Sequence, residues 1–387
     1  MSRQFAKRTQ TVKLSPIREV FEMAARTPGL VRLEVGQPDF PTPQHILDAA
    51  KESLSGGHFG YSSSSGNDEC RAALLKRMQE DYNISFNKDS EAVITVGASA
   101  ALYLTLRTLI DPGDEVLRPN PGWAQYDGVT IDCDGVPVLY PLEESTGFTT
   151  IDFDALEKLV TPKTKVMILC NPNNPCGSVL GAEQLKKAYE FAVKHDIYLI
   201  ADEAYSAIIY SDSFVPMLSV VDDKSRIITM GSASKNYAMC GWRMGFVIAN
   251  ADICSRVTVF QSLTNLCPPV VSMMAYAAAL SGPQDATVAM REEYTRRREY
   301  FVKALNEIKG FKCHEPEGAF YAFVDVSELT DNDTEFCKKL ISEVKVTGIP
   351  GSSFGSQGAG HVRFSYAASM EQLQEGIRRM KAAFGEK

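Results

Sequence analysis

Three short apolar runs constrain this chain more than anything else in it: Thr164–Leu169, Ile197–Ile200 and Ile227–Met230. Between the first two lies a helical stretch with Leu185, Ala188, Tyr189 and Ala192 on one face. Helices alternating with apolar runs of this length predict an α/β fold, with a mostly parallel sheet covered on both faces. Ligands of such sheets sit beyond the carboxyl ends of the strands. Asn174, Asp202 and Lys235 each lie at or just past such an end, so the pattern predicts that they share one pocket.

Lys235 carries the most chemistry. The run Ile227–Met230 passes through Gly231 into Ser232-Ala233-Ser234-Lys235, and Gly241-Trp242-Arg243-Met244-Gly245 follows. An ammonium at the mouth of a buried strand costs several kcal/mol to desolvate, roughly, unless it is put to use. Burial lowers a lysine pKa and makes the amine a nucleophile toward a carbonyl. Ser232, Ser234 and Arg243 offer two hydroxyls and a guanidinium fork to a dianion beside it. An aldehyde-reactive lysine beside a phosphate cup describes a site for pyridoxal 5′-phosphate. A surface lysine in a serine-rich loop would have the same local composition, and this stretch alone leaves both readings open.

Bulk properties narrow the partners. The 387 residues suit two ordinary domains, or one large one with an appendage. A formal net charge of −8 argues against nucleic acid or an anionic membrane as the main partner. Nine cysteines are scattered from Cys70 to Cys337 without a C-x-x-C pair, which excludes zinc or redox spacing and suggests reduced thiols in the cytoplasm. The first residues lack the apolar core of a secretory signal, although the basic opening fourteen resemble a solvated terminus or an organelle address. No run approaches a membrane span.

Along the chain, Pro16–Ala24 has the spacing of a short helix, and Val31–Val35 alternates as a strand. Gly36-Gln37-Pro38-Asp39-Phe40-Pro41-Thr42-Pro43 is a rigid extended path, in which Gly36 is able to bring its backbone close to a ligand. Tyr61–Gly66 is a small polar loop. Glu91–Val96 reads as a strand, and Gly97-Ala98-Ser99 opens an apolar helix running to Ile110, a junction whose free N–H groups suit an anion. Trp123 sits in a loop after a strand, where it is either a core plug or a platform for a flat ring.

From about residue 281 the character changes. Asp285–Lys309 is a charge-rich helical stretch whose Arg296-Arg297-Arg298 run reads as a solvated face. Ala319–Val324 and Val362–Tyr366 read as strands flanking Ile349–Gly355, and Met370, Leu373, Ile377, Met380 and Phe384 space as the buried face of a last helix. The expected division is a large domain over 45–280 and a smaller α+β domain made of 281–387 and an N-terminal arm, 1–44. There are no internal repeats.

Each requirement of pyridoxal phosphate chemistry has a candidate. Lys235 is the imine-forming amine and proton shuttle. Asp202 is the carboxylate that keeps the pyridine nitrogen protonated. Tyr205 and Asn174 are donors to the 3′-oxygen, and Trp123 is the stacking face. Ser232, Ser234, Arg243 and the Gly97-Ala98-Ser99 turn suit the phosphate. Arg363 offers a planar fork to a substrate α-carboxylate.

The chain resembles the class I and II aminotransferases of fold-type I over nearly its whole length. The matching motifs are Gly36–Phe40, the Tyr61 loop, Asn171–Gly177, Asp202-Glu203-Ala204-Tyr205, Ser232–Lys235, Gly241–Gly245 and Arg363. The resemblance implies a seven-stranded, mostly parallel sheet in the large domain and a ping-pong exchange between an L-amino acid and a 2-oxo acid. It also implies a homodimer with shared active sites, in which Tyr61 reaches the phosphate of the neighbouring subunit's cofactor, and substrate contacts from Gly36, Asn174, Trp123 and Arg363. Cys176 and Cys240 stand where threonine is usual and Cys70 where leucine is, exchanges expected to sensitise activity to thiol reagents. Cys267 lies near a position that is often polar and faces the partner's cofactor. A lyase acting at Cβ or Cγ on the same scaffold uses the same Lys235 and Asp202 and stays open. A non-enzymatic regulator would be expected to carry an added DNA-binding domain, for which the N-terminal arm is too short. Aspartate, aromatic amino acids and alanine are all open as substrates.

Overall fold

The computed structural model describes Phe5, Thr9 and residues 17–57, 60–87 and 89–387. Pro16, the first residue of the expected N-terminal helix, lies outside them; the helix is described from Ile17 to Arg26.

Seven strands form the main sheet: β1 (Ala92–Thr95), β2 (Glu115–Asn120), β3 (Val136–Pro141), β4 (Thr164–Cys170), β5 (Tyr198–Asp202), β6 (Ile227–Ser232) and β7 (Gly245–Ile248). Their order is β1-β7-β6-β5-β4-β2-β3, and all pairings are parallel except those of β7, which runs against both neighbours. Helices on both faces leave the central strands no solvent side, so β6 is buried at every residue and reads as a continuous apolar run. Each Ile, Leu or Val so buried contributes about 1.5–3 kcal/mol. Register then sets the site: Cys170 on β4 pairs with Asp202 on β5, which pairs with Met230 on β6. The carboxyl ends are flush, and the loops carrying Asn174 and Lys235 leave from one edge.

A second, antiparallel sheet has the order β10-β11-β9-β8, from β8 (Lys312–Cys313), β9 (Tyr321–Asp325), β10 (Ile349–Pro350) and β11 (His361–Ser365). It packs with the helices Asp285–Asn306 and Met370–Phe384 around Phe301, Phe311, Phe320, Phe364 and Leu373, and Val31 and Leu33 join this core from the chain's start.

Three local expectations change. Val31–Val35 is not a strand but an extended segment with one isolated bridge, Val31 to Val346. Its alternation is satisfied by inserting Leu33 into the second core, while its polar backbone bonds irregularly to Lys345, Thr347 and Ser365. On helix Ala182–Lys194 the buried face uses Phe191, whereas Tyr189 is only half-buried. The arginine run is not a solvated face. Arg297 donates to both oxygens of Asp39 at 2.8 and 2.9 Å and to Glu293 at 2.7 Å, and Arg298 donates to the Pro316 carbonyl at 2.8 Å. Both are buried; only Arg296 faces water, because successive helical residues are turned about 100° apart.

Candidate active site

Beyond the carboxyl ends of β4, β5 and β6 lies a cavity of about 1090 Å³. Its lining includes Gly36, Ala98, Ser99, Trp123, Asn174, Asp202, Tyr205, Ser232, Ser234, Lys235, Arg243 and Arg363. Two predicted residues are not on its wall. Gly97 lies directly behind Arg243, and Tyr61 is 86% exposed on its loop.

Lys235 follows β6 in a single helical turn, Ala233–Asn236, capped by the Ser232 hydroxyl oxygen, which accepts from the Ser234 amide at 3.1 Å. Its side chain is half-buried, and Nζ donates to the Gly36 carbonyl at 2.5 Å. Gly36 is needed at that spot, since a Cβ there would lie 2.6 Å from the Tyr321 hydroxyl.

Asp202 terminates β5 inside the protein, 4% exposed, with no cationic side chain bonded to it among the described residues. Oδ2 accepts from the Tyr126 hydroxyl at 2.7 Å and Oδ1 from the Ala204 amide at 3.2 Å. Burial pushes this carboxyl up to about 6, and those two hydrogen bonds hold it below where burial alone would put it. A buried carboxylate short of a positive partner suits the protonated nitrogen of a pyridine ring. The Tyr205 hydroxyl lies 2.8 Å from that of Tyr321, and burial raises it well above the ordinary phenol range.

The rim opposite forms an anion cradle. Helix Gly97–Leu109 starts without a side-chain cap, leaving its first amides free. Gly97 has φ +77°, and any Cβ there would strike Arg243 Nη2; Gly245 is as closely packed against the Gly97–Ala98 backbone. Arg243 is itself exposed, with Nη1 donating to the Cys240 carbonyl at 2.9 Å and lying 3.5 Å from Ser234 Oγ.

Arg363, on β11 of the second sheet, reaches the same cavity. Nη1 donates to Asn174 Oδ1 and Nη2 to the Glu34 carbonyl, both at 3.0 Å, while the buried Nε has no hydrogen-bond partner among the described residues. The guanidinium lies 4.3 Å from the Tyr321 ring centre and 5.0 Å from that of Phe354. An unsatisfied buried donor on a fork facing the cavity is what a ligand carboxylate would complete. Trp123 is half-buried and meets Tyr126 edge-on at 5.5 Å. The donor set therefore fits pyridoxal phosphate at each of its polar ends.

Sequence reasoning missed Tyr126, Tyr321, Arg118, Phe354 and Cys170. Only Tyr126 had a signal, three residues after Trp123 and thus on one side of the turn that follows β2. Of the cysteines in unusual places, Cys70 and Cys176 are buried, and burial raises both thiols far out of the reactive range; Cys240 and Cys267 are half-buried.

Residues 28–380 match the family model described as aminotransferase class I and II. The chain is 38% identical to an aspartate aminotransferase of Pyrococcus abyssi, over 98% of both chains. It is 37% identical to aromatic-amino-acid aminotransferase 2 of Thermococcus litoralis, again over 98% of both. The aspartate aminotransferase of Rhizobium meliloti superposes with a TM-score of 0.94 at 32% identity, over 99% of each chain. A match of this extent, over a cavity with this donor set, makes the chain a member of the class I and II aminotransferases and a pyridoxal phosphate-dependent enzyme.

Proposed function

We propose that the chain moves an amino group from an L-amino acid to a 2-oxo acid in two half-reactions at one site, with Lys235, Asp202 and Arg363 as its principal residues. The single observation that carries this is their convergence on one cavity from β6, β5 and β11. When bound, pyridoxal phosphate supplies the carbonyl that carries the amino group and the electron sink that acidifies the substrate Cα.

The chain's own residues do the rest. Lys235 would hold the carbonyl and afterwards, as a free amine, moves the proton at the substrate Cα. Asp202 holds the proton on the ring nitrogen, with Tyr126 fixing the carboxylate. Asn174 and Tyr205 would donate to the ring oxygen. Ser232, Ser234, Arg243, Ala98, Ser99 and the Gly97 turn would bind phosphate, and Trp123 would cover the ring. Arg363 orients the substrate through its α-carboxylate, with Asn174 and the Gly36 backbone beside it.

The relatives' names favour aspartate or an aromatic amino acid as donor. A homodimer with shared sites is supported by the exposed Tyr61, Leu263 and Leu266, since Gln261 on the helix bearing Leu263 donates to the Ser64 carbonyl of the Tyr61 loop. In that dimer Tyr61 would serve the neighbouring site. The two sheets and their cores favour domains over 45–280 and over 1–44 with 281–387. Nine unpaired thiols support a cytoplasmic enzyme.

The test is an absorbance spectrum of the cofactor-loaded protein, before and after single L-amino acids are added without any oxo acid. Conversion to the pyridoxamine form, lost in Lys235→Ala, is the expected result. Pyruvate or ammonia released with the spectrum unchanged would replace transfer by lyase chemistry.

A further inference from the structure

Arg118 is a buried arginine in the cavity wall that the chemistry above does not use. It stands on β2 at 2% exposure and makes four hydrogen bonds. Nε and Nη2 donate to the two oxygens of Asp127 at 2.7 and 2.5 Å, and Nη1 donates to the carbonyls of Pro119 at 3.0 Å and Phe354 at 2.9 Å. The last bond crosses from the main sheet to the turn Gly351–Phe354 that follows β10, and the Gly122 amide donates to the same carbonyl at 2.9 Å. Asn120 adds two more ties, from Nδ2 to Ser356 Oγ at 2.9 Å and from the Gln357 amide to Oδ1 at 3.1 Å. Gly355 is pressed against this junction, where a Cβ would strike Asn120 Oδ1.

What the junction fixes is the Phe354 ring. Phe354 is fully buried, and together with Tyr321 it bounds the Arg363 guanidinium. Among the described residues Arg363 has two hydrogen bonds of its own, to Asn174 and Glu34, so these rings complete its orientation. A planar fork binds a carboxylate bidentately only when its plane is set in advance.

We propose that Arg118, clamped by Asp127, is a positioning residue for Arg363, acting through the Phe354 carbonyl to fix the ring that holds the carboxylate-binding fork. The inference rests on the reading of Arg363 as the α-carboxylate receptor. Lysine does not replace Arg118 here, because one ammonium cannot serve Asp127 in a fork and the Phe354 carbonyl together.

The experiment uses the holoenzyme and four variants: Arg118→Leu, Phe354→Leu, the double variant and Arg363→Leu. In Arg118→Leu, KM for L-aspartate, L-phenylalanine and 2-oxoglutarate should rise roughly tenfold with kcat changed by no more than about threefold. The dissociation constant of 3-phenylpropionate, read by spectral titration, should rise in parallel. The single-turnover rate with 2-phenylethylamine, which has no carboxylate, should not move. Phe354→Leu should reproduce this pattern, and the double variant should be no worse than the worse single one. Equal losses for the amine and the amino acids, a fall in kcat at constant KM, or additive effects would each overturn the proposal. Should Arg118→Leu not fold, unchanged carboxylate constants in Phe354→Leu overturn it instead. Arg363→Leu separates the two layers: if it leaves the carboxylate constants intact, the receptor reading itself is wrong and this inference goes with it.

Discussion

The Tyr126 hydroxyl lies 2.7 Å from Asp202 Oδ2, and no cationic side chain among the described residues bonds to that carboxylate. The phenol, more than the Ala204 amide beside it, therefore keeps a buried carboxyl, already raised to about 6, from rising further. In Tyr126→Phe the acid limb of kcat/KM should move to higher pH by about one unit, because a hydrogen bond to a charged group is worth about that much. Asp202→Asn should instead lower kcat by roughly 100-fold or more at every pH, since an amide cannot hold the ring nitrogen's proton. A pH–rate profile of both variants checks the pair; an unmoved limb in Tyr126→Phe would remove the phenol from this role.

Behind Asp202, the side chain of Glu203 is buried and takes the Met217 amide on Oε1 at 2.7 Å. Burial pushes its carboxyl up to about 8 from an ordinary 4.5, and the Asp202 charge adds to the rise. The folded state thus holds this proton more tightly than the unfolded chain does. Its contribution is complete below about pH 4.5 and is lost as pH rises through about 8, on the order of a few kcal/mol. Denaturation midpoints at fixed protein concentration should fall between pH 5.5 and 8.5, roughly. Glu203→Gln, which keeps an acceptor for Met217, should flatten that slope.

How much of this was legible follows from where each contact comes from. Asp202, Asn174 and Lys235 were found because apolar runs mark strand ends, and strand ends mark the site edge. Arg118 and Phe354 were not, because their bond joins residues 236 apart and neither neighbourhood hints at the other. Arg297 was misread for a different reason: three identical residues in a row carry no information about which of them turns inward. Val31–Val35 alternates apolar and polar like a strand, yet Glu34 is as buried as Val31 and Leu33, bonded to Arg32 and Thr347; alternation of residue type reports neither burial nor hydrogen-bond partners.

Gly97 tests the anion cradle. With φ +77° and no room before Arg243, Gly97→Ala should cost about 1–2 kcal/mol of stability and weaken cofactor binding roughly tenfold. Cofactor titration followed by quenching of tryptophan fluorescence measures this. Undiminished affinity would move the phosphate elsewhere.

Arg297 tests the fastening of the Gly36–Phe40 segment. Arg297→Ala leaves the exposed Asp39 carboxylate to water and Tyr294 and uncovers Phe40, whose ring lies 5.3 Å from the guanidinium carbon, so a loss of about 1–2 kcal/mol is expected, mostly from packing. Arg297→Met, which keeps the packing, should lose less. Thermal melts of the two variants at one cofactor concentration give the comparison, and equal losses would assign the whole effect to charge.

The bond from Arg363 Nη2 to the Glu34 carbonyl spans 329 residues of chain. During synthesis, at roughly 5–20 residues per second, the ribosome releases Lys235 and Asp202 well before Arg363. The groups that would seize the cofactor are then made first, and the fork proposed to recognise a substrate is among the last parts to emerge. A nascent chain paused before residue 363 would carry the residues proposed for the cofactor and lack the one proposed to choose the substrate. On the proposed roles, the order of manufacture makes selectivity the final step of maturation: a chain ending before β11 has Lys235 and Asp202 in its sequence and lacks Arg363.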